Sequence, residues 1–309
     1  MKSIKELGAL LGDFKSGSIR ALSRCISLIE EFPQDRQTII SKLKSSRPTP
    51  LIIGFTGPPG VGKSSIINKM LFRFVKRYKK IAVLAFDPSS SISHGALLGD
   101  RIRMNEHLDN ENIFIRSFAS RGEFGGLSSV IYDILEVLFS FGFDLILIET
   151  VGTGQNEIEI AQVADATVVV LDPLSGDSIQ ALKAGIMEIG DIYAVNKNDV
   201  VPSATYENNI QQILWDKHKR PKIVPCNAQS IEGIDYLFEN IQELISEYRK
   251  GNILVHKRSL RYENYVKSIV EYKILEYYRK KFNEYYSRVS EKNKNPYEIT
   301  SPFLEKHLR

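Results

Sequence analysis

The chain has 309 residues, of which 43% are hydrophobic, and carries a formal net charge of +4, two cysteines and five histidines. That is ample for a packed core and fits one large α/β domain with extensions, or two modest domains. Cys25 and Cys226 form no C-x-x-C pair and the histidines no H-x-x-x-H spacing, which points to a reducing cytosol and away from a disulfide or zinc framework.

The first stretch, to about Lys44, is expected to be helical, since Ile19, Leu22, Ile26 and Ile29 recur on one helical face. Ser45, Ser46, Arg47, Pro48, Thr49 and Pro50 read as a linker, because two prolines oppose helix continuation. Apolar runs then follow at 51–56, 81–86, 113–115, 145–148, 167–171, 192–195 and 223–225. They are apolar on successive residues rather than alternating, the pattern of parallel strands buried on both faces by helices. The expected fold is a P-loop α/β domain with a mostly parallel sheet over 49–250, preceded by a helical extension over 1–48. A helical arm over 251–309 follows. In that arm Tyr262, Tyr265, Val266, Ile269 and Tyr272 share one helical face, which must pack on the chain's own core or on a partner subunit.

From Arg249 to Arg309 there are fifteen Lys/Arg against seven Asp/Glu, so the preceding 248 residues carry a net of −4. The interspersed acids favour a solvated helix face over a nucleic-acid surface, and no aromatic stacking platform accompanies them. The N-terminus lacks the apolar stretch of a signal peptide, and no window approaches the ~20 apolar residues of a membrane span. A cytoplasmic protein without membrane attachment is expected.

Gly57, Pro58, Pro59, Gly60, Val61, Gly62, Lys63 and Ser64 spell G-x-x-x-x-G-K-S between a strand-like run and a helical pattern opened by Ser65. That context makes the string a phosphate cradle: glycines turn backbone N–H groups inward and the helix adds its positive dipole end. Lys63 is expected to reach the β- and γ-phosphates, and Ser64 to hold Mg²⁺. Asn196, Lys197, Asn198 and Asp199 give N-K-x-D after the sixth strand. A carboxylate at Asp199 accepts from guanine N1–H and the 2-amino group, donors that adenine does not present there, so GTP and GDP are the expected ligands. Asn227, Ala228 and Gln229, after the seventh strand, are expected to meet the base from the other side.

Asp87, Asp100 and Glu149 lie where loops leave strands, positions at which an open α/β sheet holds its ligand and metal. Asp87 and Glu149 also admit a reading as helix caps or partners of Lys63. Glu149, Thr150, Val151 and Gly152 stand where a D-x-x-G switch is usual, and Gln155 either orients the attacking water or is an ordinary loop residue.

Taken together, Asp87–Ser90, Leu98–Met104, Ser120–Gly122, Gly125–Leu127, Glu149–Gln155 and Asn196–Asp199 resemble the MeaB/ArgK GTPases, the methylmalonyl-CoA mutase-associated G proteins. Asp177–Gly185 resembles an additional mobile switch of that family. The likeness covers roughly residues 15 to 250. It implies a homodimeric GTPase whose C-terminal extension serves dimerisation and whose client is an adenosylcobalamin-dependent acyl-CoA mutase, with cofactor loading and protection gated by GTP. It also implies metal-site roles for Asp87, Asp100 and Glu149 and a phosphate or transition-state contact for Lys183. The chain departs from the family pattern at His94–Ala96 and Thr153, which bear on the switches, and at Asn227, which bears on base affinity. Two other classes compete. A transport-associated ATPase or kinase needs ATP, which N-K-x-D opposes, and a nickel-inserting GTPase needs a His/Cys cluster that the sequence lacks.

Overall fold

The computed structural model describes residues 4–43, 48–87, 107, 110–119, 128–150, 155–173, 186–197, 208, 210–211, 222–289 and 295–307. Two compact units divide the chain, Met1–Tyr262 and Glu263–Arg309. The first opens with helices α1 (Ile4–Lys15) and α2 (Ile19–Glu31), a 3₁₀ turn at Pro33–Asp35, and α3 (Arg36–Lys42). Ser18 caps α2 by accepting from the Ala21 N–H at 3.2 Å, satisfying one of the orphan donors of the first turn. Leu22, Cys25, Ile26 and Ile29 are buried on α2. Ile19, expected on the same face, is exposed because it is the first residue of the helix.

Among the described residues seven strands and five helices follow: β1 (Leu51–Thr56), α4 (Lys63–Phe74), β2 (Ile81–Asp87), β3 (Ile113–Ala119), α5 (Ser128–Phe141), β4 (Leu145–Thr150), α6 (Gln155–Val163), β5 (Ala166–Leu171), α7 (Ile186–Ile189), β6 (Ile192–Val195), β7 (Lys222–Pro225) and α8 (Ile231–Lys250). The strands form one parallel sheet in the order β3-β2-β4-β1-β5-β6-β7. Every residue of β1, β4, β5 and β6 is buried, as the unbroken apolar runs require of strands covered on both faces. Residues of β1, β5 and β6 join α4 and α8 in one core cluster that includes Phe55, Ile66, Phe74, Val168, Leu237 and Ile241. Because all strands run the same way, their C-terminal ends line one edge of the sheet and their N-terminal ends the other.

Helix α9 (Ile253–Tyr286) and helix α10 (Pro296–His307) follow. Within the second unit the two are joined by aromatic contacts. Phe282 and Phe303 meet edge-on at 5.2 Å between centroids, and the Tyr285 and Tyr278 hydroxyls donate to the carbonyls of Ile299 and His307, each at 2.9 Å. Of the predicted α9 stripe, Tyr262, Val266 and Ile269 are exposed, while Tyr265 and Tyr272 are half-buried. Val270, Ile274 and Tyr277 extend the exposed apolar surface along the helix.

The N-terminal edge of the sheet is ordered by aspartates. Asp144, Asp165 and Asp191 immediately precede β4, β5 and β6, and each carboxylate accepts backbone N–H groups where a neighbouring strand begins. Asp144 takes those of Lys79 and Lys80 at 2.9 and 3.0 Å, Asp165 that of Ile52 at 3.0 Å, and Asp191 that of Thr167 at 2.9 Å. Two of these carboxylates also hold the root of α9. Asp165, fully buried, pairs with Arg261 at 3.1 Å and Arg258 at 3.3 Å. Asp191 pairs with Lys257 at 2.8 Å and accepts the Tyr248 hydroxyl at 2.6 Å. Arg261 donates a further bond to the Val163 carbonyl at 2.8 Å. Burial lowers the Arg261 pKa and the carboxylate opposes that shift. Part of the basic surplus of the tail, expected to be a solvated face, is therefore bound to buried carboxylates.

Removing Asp165 leaves two guanidinium groups and the Ile52 N–H without that carboxylate, and a broken buried pair is strongly destabilising. Asp165→Ala is expected to lower stability by about 3 kcal/mol or more, read as a shifted urea midpoint. Glu263→Ala, at an exposed i,i+4 pair with Lys267, is expected to leave the midpoint where it was.

Candidate functional site

The loop between β1 and α4 is shaped by its glycines. Gly57 has φ 139°, and a Cβ there would stand 2.1 Å from the Val170 carbonyl oxygen on neighbouring β5. Gly62 has φ 95°, and its Cβ would stand 2.5 Å from Asn196 Nδ2. No other residue type fits either position without moving the sheet or the base motif. Helix α4 begins at Lys63 with no side-chain cap, whereas α2 and α8 are capped by Ser18 and Ser230. An uncapped N-terminus after a glycine loop suits an anion. Lys63 is almost fully buried, and its Nζ donates to the carbonyls of Gly57 and Pro58 at 2.8 and 2.7 Å. The ammonium thus sits inside the curve of the loop.

Parallel pairing sets the next residue against this loop. Phe55 on β1 registers with Glu149 on β4, and the buried hydroxyls of Thr150 and Thr56 hydrogen-bond at 3.0 Å, fixing the two strand ends together. Glu149, itself buried, accepts from Ser64 Oγ at 2.6 Å. This contact sets Glu149 beside the first turn of α4. Two neighbouring hard oxygen donors are of the kind Mg²⁺ takes, and that ion usually completes its shell with phosphate and water oxygens. Among the described residues no group of three or more His, Cys, Asp or Glu comes together.

The base side is built from the ends of β6 and β7. Asn196, 2% exposed, donates from Nδ2 to the Val61 carbonyl at 2.8 Å and accepts the Ala228 N–H on Oδ1 at 3.0 Å. One side chain therefore joins the phosphate loop, β6 and the loop after β7. Lys197 follows in the left-handed region, φ 61°, and its Nζ meets the Asp172 carboxylate at 2.6 Å. Asn227, where a serine is usual, accepts the Gln229 N–H on its side chain at 2.8 Å. It shapes an Asx turn that leads into the Ser230 cap of α8. Cys226, just before it, is buried, and burial pushes its thiol up to about 12, so it stays protonated at neutral pH.

The structure thus brings Gly57–Ser65, Glu149, Asn196, Lys197 and Asn227–Gln229 to one edge of the sheet. Asp87 ends β2 and Gln155 begins α6 on the same edge. Asp100, Lys183 and Asp199 lie outside the described residues, as do His94–Ala96, Thr153 and the 177–185 segment. Sequence reasoning missed Asp172. Its only local signal is an acid directly after an apolar strand, which also reads as an ordinary loop start.

Residues 22–283 match the family model described as methylmalonyl-CoA mutase-associated GTPase MeaB. The chain belongs to the MeaB family and is a GTPase. A protein of Pyrococcus abyssi carrying a provisional GTPase name is 39% identical over 308 residues, covering 96% of this chain and 95% of the relative. The mouse protein named methylmalonic aciduria type A homolog, mitochondrial, is 32% identical over 75% of this chain and 58% of its own length. The GTPase ArgK of Escherichia coli is 31% identical over 74% of this chain and 72% of its own. Among solved structures, one titled LAO/AO transport system kinase superposes over 100% of both chains with a TM-score of 0.68 at 20% identity, which speaks for the fold.

The glycine geometry of this MeaB-family chain gives a graded expectation. Gly60 also has a positive φ, 77°, but a Cβ there meets nothing within 4 Å, so Gly60→Ala costs only the ~1–2 kcal/mol of left-handed strain. Gly57→Ala adds a backbone clash to the strain and is expected to abolish binding of a fluorescent GDP analogue. Gly60→Ala is expected to retain measurable binding in the same titration.

Proposed function

We propose that this MeaB-family GTPase binds GTP across the Gly57–Ser65 loop and the Asn196–Asp199 and Asn227–Gln229 segments, and that hydrolysis gates cofactor loading and protection of an adenosylcobalamin-dependent acyl-CoA mutase. The observation that carries the nucleotide half is Asn196. Its two hydrogen bonds join the start of the N-K-x-D motif to the phosphate loop and to the loop after β7, which supports reading the three as one nucleotide site. Lys63 supplies positive charge to the β- and γ-oxygens as negative charge develops on them. Ser64 and Glu149, with Asp87 and Asp100, hold Mg²⁺, which supplies charge neutralisation at the phosphates when bound. Gln155 orients the attacking water and Lys183 contacts the transferring phosphoryl group. Asp199 pairs with N1–H and the 2-amino group of guanine.

Support for the client comes from the family description, which names the mutase, and from the mouse relative, named for methylmalonic aciduria. The protein acts in the cytoplasm; among the described residues no helix is long and apolar enough to cross a membrane. It works as a homodimer through the C-terminal arm, 251–309, where α9 exposes Val266, Ile269 and Val270 in succession. Such a face is suited to an isologous partner. The preceding segments, 1–48 and 49–250, serve as the N-terminal extension and the GTPase domain.

Calorimetry tests the nucleotide assignment. GTP and GDP are expected to bind more than ~10²-fold tighter than ATP and ADP, beyond what pocket shape alone gives, and Asp199→Asn is expected to shift preference to xanthosine nucleotides. Comparable affinities for GTP and ATP would overturn it. Light scattering tests the dimer: Val266→Glu combined with Ile269→Glu is expected to yield monomer that still binds GTP, and a monomeric parent protein would remove that part of the proposal. Purified methylmalonyl-CoA mutase is expected to be retained by the immobilised GTPase and to raise its turnover. Mutase that neither binds nor stimulates would overturn the client assignment.

A further inference from the structure

Lys197 is an anomaly on two counts. It is a lysine with φ 61°, where a side chain is disfavoured by roughly 1–2 kcal/mol, and it is the second residue of the candidate base motif. Something must hold it there. Its backbone follows Asn196, whose N–H is bound to the Leu171 carbonyl at 2.8 Å, continuing the Leu171–Val195 register of β5 and β6. Its side chain is held by Asp172, the first residue beyond β5, at 2.6 Å. The Asp172 side chain is only 4% exposed while that of Lys197 is 43% exposed, so a buried carboxylate anchors the head of a lysine that otherwise borders solvent.

We infer that Asp172 is a positioning residue for guanine-nucleotide binding, acting through Lys197. This rests on the assignment of Asn196–Asp199 to the base. A free lysine samples many rotamers and loses that freedom when a ligand packs along its stem. With Nζ fixed on Asp172, the four-methylene stem is already ordered beside Asn196, and the ordering cost is met on folding rather than on binding. The anchor also steadies the left-handed turn from which Asp199 follows two residues later. Because the carboxylate is buried, salt screens the pair less than it would two exposed charges. Asp172 directly follows β5 and Lys197 lies two residues beyond β6, so the contact also ties together the C-terminal ends of two paired strands.

The test is a double-mutant cycle read by the release rate of a fluorescent GDP analogue from the full-length protein. Asp172→Asn and Lys197→Met are each expected to speed release by about tenfold, the upper end for one immobilised side chain. The double variant is expected to release no faster than the faster single, because both changes remove the same interaction. Where a single variant fails to fold, the double variant, which leaves neither charge unpaired, carries the test: fast release supports the role and parent-like retention overturns it. Asp172→Asn is also expected to weaken GDP and IDP equally, since the lysine stem does not read the 2-amino group. Parent-like release from Asp172→Asn, or single effects that multiply in the double variant, would overturn the inference. Asp199→Asn in the same assay separates the two claims. If it fails to bring xanthosine diphosphate into preference, the base assignment falls and this role falls with it. If xanthosine preference appears while Asp172→Asn keeps GDP as the parent does, only the Asp172 role falls.

Discussion

The side chain of Asn196 is the joint on which the site is assembled. Its amide donates to Val61 in the phosphate loop and accepts from Ala228 in the loop after β7, so three segments far apart in sequence share one buried residue. A buried amide that loses a partner bears the full desolvation cost of the group left behind, whereas one with both partners satisfied rigidifies its surroundings. Gly62 exists in its present form because of this joint: the space a Cβ would need is taken by Asn196 Nδ2. The lysine that follows, its left-handed backbone and its anchor on Asp172 all follow from where Asn196 is held.

The sheet separates two kinds of work. Its C-terminal edge carries the loop, Glu149, Asp172 and the base segments, while its N-terminal edge carries Asp144, Asp165 and Asp191. Strands β5 and β6 take part in both. β5 is flanked by Asp165, bound to Arg258 and Arg261, and by Asp172, bound to Lys197. β6 is flanked by Asp191, bound to Lys257, and by Asn196. The root of α9 is thereby fixed to the same two strands that present the base motif. Because these strands are fully buried and close-packed, a shift at one end is not absorbed locally.

Much of this was legible in the sequence because it is local. Unbroken apolar runs gave the strands, and the string from Gly57 to Ser64 gave the loop, since its spacing is set by backbone geometry within one turn. The Ser64–Glu149 contact joins residues 85 apart, and the sequence offered the two only as separate metal candidates; the register that brings them together is a tertiary property. The aspartates of the N-terminal edge went unread, because a lone Asp before a strand looks like any turn residue until the neighbouring strand supplies its N–H. Lys257, Arg258 and Arg261 read as a solvated face for the same reason: their partners lie some 60 to 100 residues earlier in the chain. Ile19 obeyed the helical period but sits where α2 has only begun.

The central claim is that phosphate loop and base segments form one unit through Asn196, and binding of tripolyphosphate to Asn196→Ala tests it most directly. Tripolyphosphate with Mg²⁺ has no base and can engage only the loop. Calorimetry of the parent protein and of Asn196→Ala is predicted to show tripolyphosphate affinity falling by about tenfold, as the unpaired Val61 carbonyl lets the loop relax, together with a larger fall for GDP. Tripolyphosphate binding unchanged in the variant, with GDP alone weakened, would show two independent subsites and contradict the account.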